Sequence, residues 1–184
     1  MNLVYFDSKI KVAIFPWKKN AGKPYQEQCI RALAEDQNIK LLKNEDGKPY
    51  LENSDLSISI SHSSDQLAIA LSGDHSPGVD IEHLRSPILR IAEKVFSYEE
   101  ISFVKHYPLL EAYHILWGAK ECIYKSYGKK GLGFIKDIRV FPFEFHPKTG
   151  MINALLMDEI LIELQYLFMP HQTILVHTLS AEKS

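Results

Sequence analysis

Two carboxylates, Asp80 and Glu82, stand two residues apart in a short stretch that predicts a β-strand. Alternate side chains of a strand point to the same side, so the two negative charges would repel each other. A divalent cation would remove that cost, and Mg²⁺ binds carboxylate oxygens and completes its shell with water and phosphate oxygens. An acidic pair on an exposed surface explains the same spacing, and the pattern by itself favours that simpler interpretation.

A third carboxylate, Glu121, lies in a predicted helix, four residues after Trp117 and four before Lys125. At 3.6 residues per turn these three side chains share one face, and Glu121 lies about 200° from Ala119 on the apolar face. The helix therefore presents a carboxylate and an ammonium group away from its main packing face. An exposed ion pair worth about 0.3–0.5 kcal/mol accounts for the spacing of Glu121 and Lys125 and is favoured by that spacing alone.

A cluster of lysines lies along the second half of this helix and just beyond it. The cluster comprises Lys120, Lys125, Lys129 and Lys130, which oppose the single charge of Glu121. Glycines at positions 128, 131 and 133 would let the backbone approach a ligand closely. Such a segment suits a metal–polyphosphate ligand and equally suits an exposed loop, and its spacing matches neither a P-loop nor a dinucleotide-binding fingerprint.

One histidine, His62, follows a predicted strand and is flanked by Ser61 and Ser63. An imidazole beside two hydroxyl groups can donate hydrogen bonds to a phosphate, although a lone histidine is more commonly a polar loop residue. The other histidines show no spacing typical of a zinc site. A serine hydrolase is poorly supported, because the chain has no G-x-S-x-G turn.

The elements that must position these residues do not follow a regular βαβ order, and their order predicts an α+β fold. Strands are predicted at 11–15, 56–60, 67–71 and 78–82, with several more between 134 and 179. Helices are predicted to begin at Pro24, Pro87 and Pro108, the last ending near Gly128. Ser86 is the expected N-cap of the second helix, and Ser97 with Glu100 predicts a capping box for a further helix.

Composition describes an ordinary globular chain of 184 residues with a formal net charge of −2. A near-neutral chain is unsuited to broad electrostatic binding of nucleic acid or of a membrane surface. Cys29 and Cys122 are far apart and are expected to be buried thiols in a reducing compartment. The first residues do not resemble a signal peptide and no apolar stretch is long enough to span a bilayer, so we expect a cytoplasmic protein.

Taken in order, several sequence blocks resemble the 4'-phosphopantetheinyl transferases, specifically the larger, monomeric type that activates surfactin synthetase and related carrier-protein systems. The blocks are Gly47–Tyr50, Ile60–Ser63, Gly78–Glu82 and Trp117–Lys125, together with Phe96–Glu100. The resemblance runs from about Gly47 to about Gly133. The Gly78 and Trp117 blocks, with the distance between them, are its specific part.

This resemblance implies two similar α+β halves in a pseudo-two-fold arrangement, residues 1–76 and 77–184, with the active site between them. It implies transfer of the 4'-phosphopantetheine arm of coenzyme A to a serine of an apo acyl or peptidyl carrier protein, with release of adenosine 3',5'-bisphosphate. We expect a monomer, because the chain is long enough to hold both halves. We expect no nucleic-acid or membrane partner.

The resemblance also implies roles for the charged residues of the second half. It places Mg²⁺ ligands at Asp80, Glu82 and Glu121, and a lysine near the pyrophosphate at Lys125. A serine hydroxyl must lose its proton to attack, and Glu121, or a metal-bound water that it orients, is the candidate base. Lys125 would assist the charge that builds on the leaving phosphate.

In the first half, Lys48 and His62 correspond to groups that hold the 3'-phosphate of coenzyme A, with Ser61 beside them. The arginine-rich stretch that many larger members carry before their Gly-Lys-Pro block is absent here. Two further hypotheses are a non-catalytic carrier-protein-binding module of the same fold and a Mg²⁺-dependent phosphohydrolase. The phosphohydrolase would explain the carboxylates and lysines, but it would not explain the block from Trp117 to Lys125.

Overall fold

The computed structural model describes residues 2–6, 9–18 and 20–183 of the chain. Within these residues, eleven strands and four helices form an α+β fold. The strands pair antiparallel in two sheets and one hairpin, as an α+β protein without βαβ crossovers requires. The predicted fold class is therefore confirmed.

The first sheet has four strands in the order β1-β2-β6-β5. Its strands are β1 (Asn2–Phe6), β2 (Ile10–Pro16), β5 (Ser57–His62) and β6 (Gln66–Ser72). Between β2 and β5 the chain forms helix α1 (Gly22–Ala34) and the hairpin of β3 (Lys40–Lys43) and β4 (Pro49–Glu52). Helix α1 buries Cys29, Ile30 and Leu33 in a core that it shares with β2, β5 and β6.

The second sheet has five strands in the order β7-β11-β10-β9-β8. Its strands are β7 (Val79–His83), β8 (Ile138–Val140), β9 (Thr149–Leu156), β10 (Ile160–Met169) and β11 (Thr173–Lys183). Between β7 and β8 lie three helices, α2 (Pro87–Val95), α3 (Tyr98–Val104) and α4 (Leu109–Tyr127). These helices share the largest core cluster with the sheet, and α4 supplies its centre, including Ile115, Leu116 and Ile123.

The two sheets pack against each other through a third apolar cluster. It joins side chains of β2 and β6 to Val79 and Ile81 of β7 and Leu175 of β11. Because side chains alternate along a strand, burial of Val79 and Ile81 in this cluster directs Asp80 and Glu82 to the opposite side of β7. That side faces α4, so packing between the sheets fixes the orientation of both carboxylates.

Most local expectations are confirmed. The capping box is present, with Glu100 N donating to Ser97 Oγ at 3.2 Å and Ser97 N donating to Glu100 Oε2 at 2.8 Å. Helix α4 ends at Gly128, as predicted. Helix α2 begins at Pro87 with Ser86 at the N-cap position, as predicted, but the backbone of Ser86 is helical and its side chain makes no capping hydrogen bond.

Both cysteines are free and buried, as the sequence predicts. In the described part of the chain, no helix is long and apolar enough to cross a membrane. Three strands, β1, β3 and β4, were not predicted from the sequence. The division of the chain at residue 76 stays a prediction.

Candidate functional site

The candidate site forms where α4 crosses β7. Helix α4 carries Glu121 and Lys125, and β7 carries Asp80 and Glu82. The two elements approach closely because Gly78 has no side chain: a Cβ added there would lie 2.0 Å from the carbonyl oxygen of Cys122. Glycine at this position therefore allows the predicted site residues of the strand and the helix to come together.

Lys125 is bonded to Asp80 and not, as its spacing suggested, to Glu121. Its Nζ donates to Asp80 Oδ1 at 2.8 Å, to Ser61 Oγ at 3.0 Å and to the carbonyl oxygen of Val79 at 3.0 Å. The Asp80 side chain is only 5% exposed, so this is a partly buried ion pair between two elements. The interpretation of Glu121 and Lys125 as an exposed pair on one helix is wrong.

The Lys125 ammonium is held in its charged form. Burial alone would lower the pKa of Lys125, but the charge of Asp80 and the hydrogen bond to it outweigh burial, and the pKa is raised. A lysine in this state can donate hydrogen bonds and supply positive charge. It is unsuited to accepting a proton near neutral pH.

Ser61 and Ser59 tie the first sheet to β7. Ser59 Oγ accepts a hydrogen bond from Val79 N at 3.1 Å, and Ser61 Oγ accepts one from Ile81 N at 3.3 Å. Ser61 Oγ also donates to Asp80 Oδ1 at 2.9 Å. The Ser61 hydroxyl, which the family resemblance placed beside the groups that hold the 3'-phosphate, is thus hydrogen-bonded to Asp80 and to β7. It helps to orient the Asp80 carboxylate.

Glu121 and Glu82 lie within electrostatic reach of Asp80. Burial raises the pKa of Glu121 to about 7, and the charges of Asp80 and Glu82 add to the effect while Lys125 opposes it. Burial, followed by the charge of Asp80, likewise raises the pKa of Glu82, and the nearby Arg85 opposes this. The Arg85 guanidinium lies 3.2 Å from Glu82 Oε2 but is largely exposed. These three carboxylates, which we call the acidic centre, therefore carry more formal negative charge than Lys125 and Arg85 balance.

Asp80, Glu82 and Glu121 are the candidates for holding a divalent cation. Among the residues that the structure describes, no group of three or more His, Cys, Asp or Glu side chains is arranged to hold a metal ion. The charge and the chemistry of the donors do fit, because three carboxylates repel one another beside Lys125 and all offer oxygen ligands. As Mg²⁺ ligands, Asp80, Glu82 and Glu121 stay a prediction.

Lys48 reaches across from the β3–β4 hairpin to the end of α4. Its Nζ donates to the Ser76 hydroxyl and to the carbonyl oxygen of Ser126, the latter at 2.7 Å. Gly128 makes room for it, since a Cβ there would lie 2.2 Å from Lys48 Cδ, and its φ of +69° suits glycine. Burial lowers the pKa of Lys48. An anion placed beside this ammonium would favour its charged form.

A cavity of about 150 Å³ opens between the β3–β4 hairpin, β5 and the end of α4. Lys48, Lys125, Lys129 and Lys130 line it together with apolar surface from Pro49, Ile58, Ile60 and Tyr124. The cavity thus combines positive charge for phosphate groups with an apolar wall for a flat or aliphatic group. It meets the acidic centre at Lys125.

His62 lies outside the lining of this cavity. Its side chain is exposed, and its ring stacks on Trp17 with centroids 5.1 Å apart and planes inclined by 11°. The structure therefore brings together Asp80, Lys125 and Ser61, and it places Lys48 in the lining of the cavity. His62 stands at the end of β5 as a polar group on an aromatic platform.

The role of Lys120 was missed, because the sequence pattern grouped it with Lys125, Lys129 and Lys130 in a basic segment that suited either a polyphosphate ligand or an exposed loop. The structure buries Lys120 completely, with its Nζ 2.8 Å from Glu100 Oε1 and hydrogen-bonded to the carbonyl oxygens of Phe134 and Ile138. Glu100 was assigned only to the capping box, which it forms with its other oxygen. The position of Lys120 on the helix could have indicated this, since it lies four residues after Leu116 and three before Ile123, which are both buried apolar residues.

Comparison with known proteins adds a family to this geometry. The sequence model of the 4'-phosphopantetheinyl transferase superfamily matches residues 76–170, slightly more than half of the chain. The 4'-phosphopantetheinyl transferase gsp of Aneurinibacillus migulanus is 33% identical over 97 residues, which are 51% of this chain and 40% of that relative. The aligned region is thus less than half of the relative's length. The family match contains β7 and α4, and with them the three carboxylates and Lys125.

Proposed function

Since the chain belongs to the 4'-phosphopantetheinyl transferase superfamily, we propose that it transfers the 4'-phosphopantetheine arm of coenzyme A to a serine of an apo carrier protein. The second product is adenosine 3',5'-bisphosphate. The observation that carries the proposal is the junction at Lys125, where a lysine-lined cavity meets a group of three carboxylates. Coenzyme A joins a nucleotide to a pyrophosphate, so it needs both the lysine-lined cavity and the carboxylates.

The cavity between the hairpin and α4 is the proposed site of the nucleotide. Lys48, Lys129 and Lys130 supply positive charge at its wall, and Tyr124 supplies an aromatic face. The 3'-phosphate would bind near Lys48, with His62 at the end of β5 as a second donor. The pyrophosphate would then lie toward Lys125 and the acidic centre.

Asp80, Glu82 and Glu121 would hold Mg²⁺. Oδ1 of Asp80 is engaged by Lys125 and Ser61, which leaves its Oδ2 for the cation. When bound, Mg²⁺ neutralises the pyrophosphate and stabilises the charge that builds on the leaving phosphate. Lys125, fixed by Asp80, Ser61 and the carbonyl of Val79, would supply positive charge beside the same leaving group.

Glu121 is the proposed base. The serine oxygen of the carrier forms a bond to the phosphorus next to the pantetheine arm, and the bond from that phosphorus to the bridging oxygen of the pyrophosphate breaks. The serine proton passes to Glu121 directly or through a water that it orients. Attack on a dianionic pyrophosphate is slow mainly because charge repels the nucleophile, so positioning and charge neutralisation are the main contributions.

We further propose a cytoplasmic monomer of the holo-acyl-carrier-protein synthase type, with an acyl or peptidyl carrier protein as partner. Two buried free thiols suit a reducing compartment. The lysine-lined cavity has walls from both the hairpin side and α4, so one chain provides both walls. Size-exclusion chromatography with light scattering at working concentration tests the monomer.

The function is tested by incubating the protein with coenzyme A, Mg²⁺ and an apo carrier protein and then weighing the carrier by mass spectrometry. A gain of one phosphopantetheine group on the carrier supports the transferase. An unchanged carrier that still binds the protein supports the non-catalytic module. Release of phosphate or of nucleotide without carrier modification supports the phosphohydrolase, and either of these results overturns the proposal.

A further inference from the structure

The segment after α4 folds back along the helix and is fixed there. After Gly128 the chain reverses, and a turn closes at Gly133 and Asp137, where Asp137 N donates to Gly133 O and Gly133 N donates to Asp137 Oδ2. Lys120 Nζ holds the same turn from the helix side through Phe134 O at 2.6 Å and Ile138 O at 2.9 Å. The turn is therefore anchored to the middle of α4 by a fully buried ammonium group.

This anchoring places the Phe134 ring against two aromatic side chains of α4. The Phe134 centroid lies 5.6 Å from Trp117 and 6.0 Å from Tyr124, in tilted geometry. Trp117 and Tyr124 are seven residues apart and thus lie on one face of the helix, two turns from each other. Phe134 spans the distance between them.

Glu121 lies between Trp117 and Tyr124 on that face, four residues after one and three before the other. The aromatic wall, as we name Trp117, Phe134 and Tyr124, therefore runs beside the carboxylate assigned as the base. One end of the wall, Tyr124, also lines the nucleotide cavity, and the other end, Trp117, lines a second cavity with Glu82. The wall connects both sides of the acidic centre.

We infer that the aromatic wall keeps water from competing with the acceptor serine, and that Phe134 is its key positioning residue. This rests on the proposed function. A base beside the pyrophosphate can take a proton from water as readily as from a serine hydroxyl. The aromatic rings beside Glu121 exclude water from the positions from which it could attack the phosphorus.

The competing reaction has a distinct product. Water oxygen forms the new bond to the phosphorus, the bond to the bridging oxygen breaks, and the proton goes to Glu121. The products are free 4'-phosphopantetheine and adenosine 3',5'-bisphosphate, whereas transfer leaves the arm on the carrier. The ratio of free to carrier-bound 4'-phosphopantetheine therefore measures water exclusion separately from overall rate.

The test compares the wild type with Phe134→Ala, in the presence of coenzyme A, Mg²⁺ and an apo carrier protein, by liquid chromatography and mass spectrometry. We expect the ratio of free to carrier-bound product to rise severalfold in Phe134→Ala. Phe145→Ala is the matched control, since Phe145 is also half-buried and packs on two aromatic rings, Tyr107 and Phe168, away from the site. Its ratio should equal that of the wild type.

Phe134→Val removes less of the side chain and should also raise the ratio of free to carrier-bound product. It replaces Phe134→Ala in the test if the alanine variant does not fold. An unchanged ratio in a folded Phe134 variant overturns the inference, as does a loss of transfer with no gain in free product. An equal rise in Phe145→Ala overturns it as well. If the wild type modifies no carrier, the proposed function itself fails, and the two failures are thereby distinguished.

Discussion

Lys125 Nζ lies 2.8 Å from Asp80 Oδ1, and this ion pair joins the last turns of α4 to the start of β7. The pair brings one cation to the point where a lysine-lined cavity meets Asp80, whose charge also acts on Glu82 and Glu121. It commits Lys125 to Asp80 and leaves Glu121 without that partner. The chemical difference between the two carboxylates follows: one is paired and oriented, and the other has a raised pKa and is available to a proton.

Replacing Lys125 with methionine should destabilise the protein by about 3 kcal/mol, because Asp80 would remain buried without a cation. Ser61→Ala removes a neutral hydroxyl that bonds Asp80, Lys125 and Ile81 N but leaves the two charges paired, and it should cost less, about 2 kcal/mol. Chemical denaturation of both variants and the wild type gives the comparison.

The double variant Lys125→Met/Asp80→Asn should recover part of the loss, because the unpaired charge is gone. A double-mutant cycle measures the coupling between the two residues. Additive effects of the two single changes would show that the pair is not coupled in solution.

Replacing Lys48 with methionine should raise KM for coenzyme A roughly tenfold, as expected for loss of a charge-assisted hydrogen bond. KM for 3'-dephospho-coenzyme A should change little, because that substrate lacks the phosphate assigned to Lys48. Lys43→Met, an exposed change on β3 of the same hairpin, is the control and should leave both values unchanged. If Lys48→Met raised KM equally for the two substrates, Lys48 would not be the residue that binds the 3'-phosphate.

Glu121 should make the metal-free protein less stable as pH rises. Its pKa is raised from 4.5 to about 7 in the folded state, so the folded protein holds this proton more tightly than the unfolded chain. The stability that Glu121 contributes therefore falls as pH rises through this window. In the presence of a metal chelator at pH 8, Glu121→Gln should unfold at a higher temperature than the wild type. This difference in unfolding temperature should vanish near pH 4.5.

Adding Mg²⁺ at pH 8 should reverse that order, because a bound cation stabilises the carboxylates of the wild type. Thermal melts with and without Mg²⁺ supply the measurement. Wild-type stability that does not depend on Mg²⁺ would contradict the assignment of this centre to a metal.

The turn between β9 and β10 is strained at Met157, whose φ is +54° although it is not glycine. Its side chain is 48% exposed, so little packing is lost by removing it. Met157→Gly should be about 1 kcal/mol more stable than Met157→Ala, since both remove the side chain and only glycine relieves the backbone. Equal stabilities of these two variants would show that the turn is not strained.

Local patterns in the sequence predicted local structure well. The capping box of Ser97 and Glu100 and the end of α4 at Gly128 each depend on contacts within a few residues. Ser86 stands at the N-cap position but makes no capping hydrogen bond, because its backbone is helical, and the residue type alone does not specify that.

Partners distant in the chain were harder to predict. The spacing of Glu121 and Lys125 matched an ion pair on one helix, but Lys125 binds Asp80 of another element. Lys120 resembles its lysine neighbours in sequence, and the partners that compensate its burial, Glu100 and two carbonyl groups, come from distant segments. The Trp117–Lys125 block nevertheless identified the site helix, since family resemblance carries information about contacts that periodicity lacks.

The most direct test is the mass of an apo carrier protein after incubation with coenzyme A, Mg²⁺ and one of three proteins: the wild type, Glu121→Gln or Glu99→Gln. Glu99 lies exposed on α3, so Glu99→Gln makes the same substitution away from the site and serves as the control. We predict one added phosphopantetheine group with the wild type and with Glu99→Gln, and none with folded Glu121→Gln. A carrier left unmodified by the wild type, or modified at a near-normal rate by folded Glu121→Gln, would contradict the account.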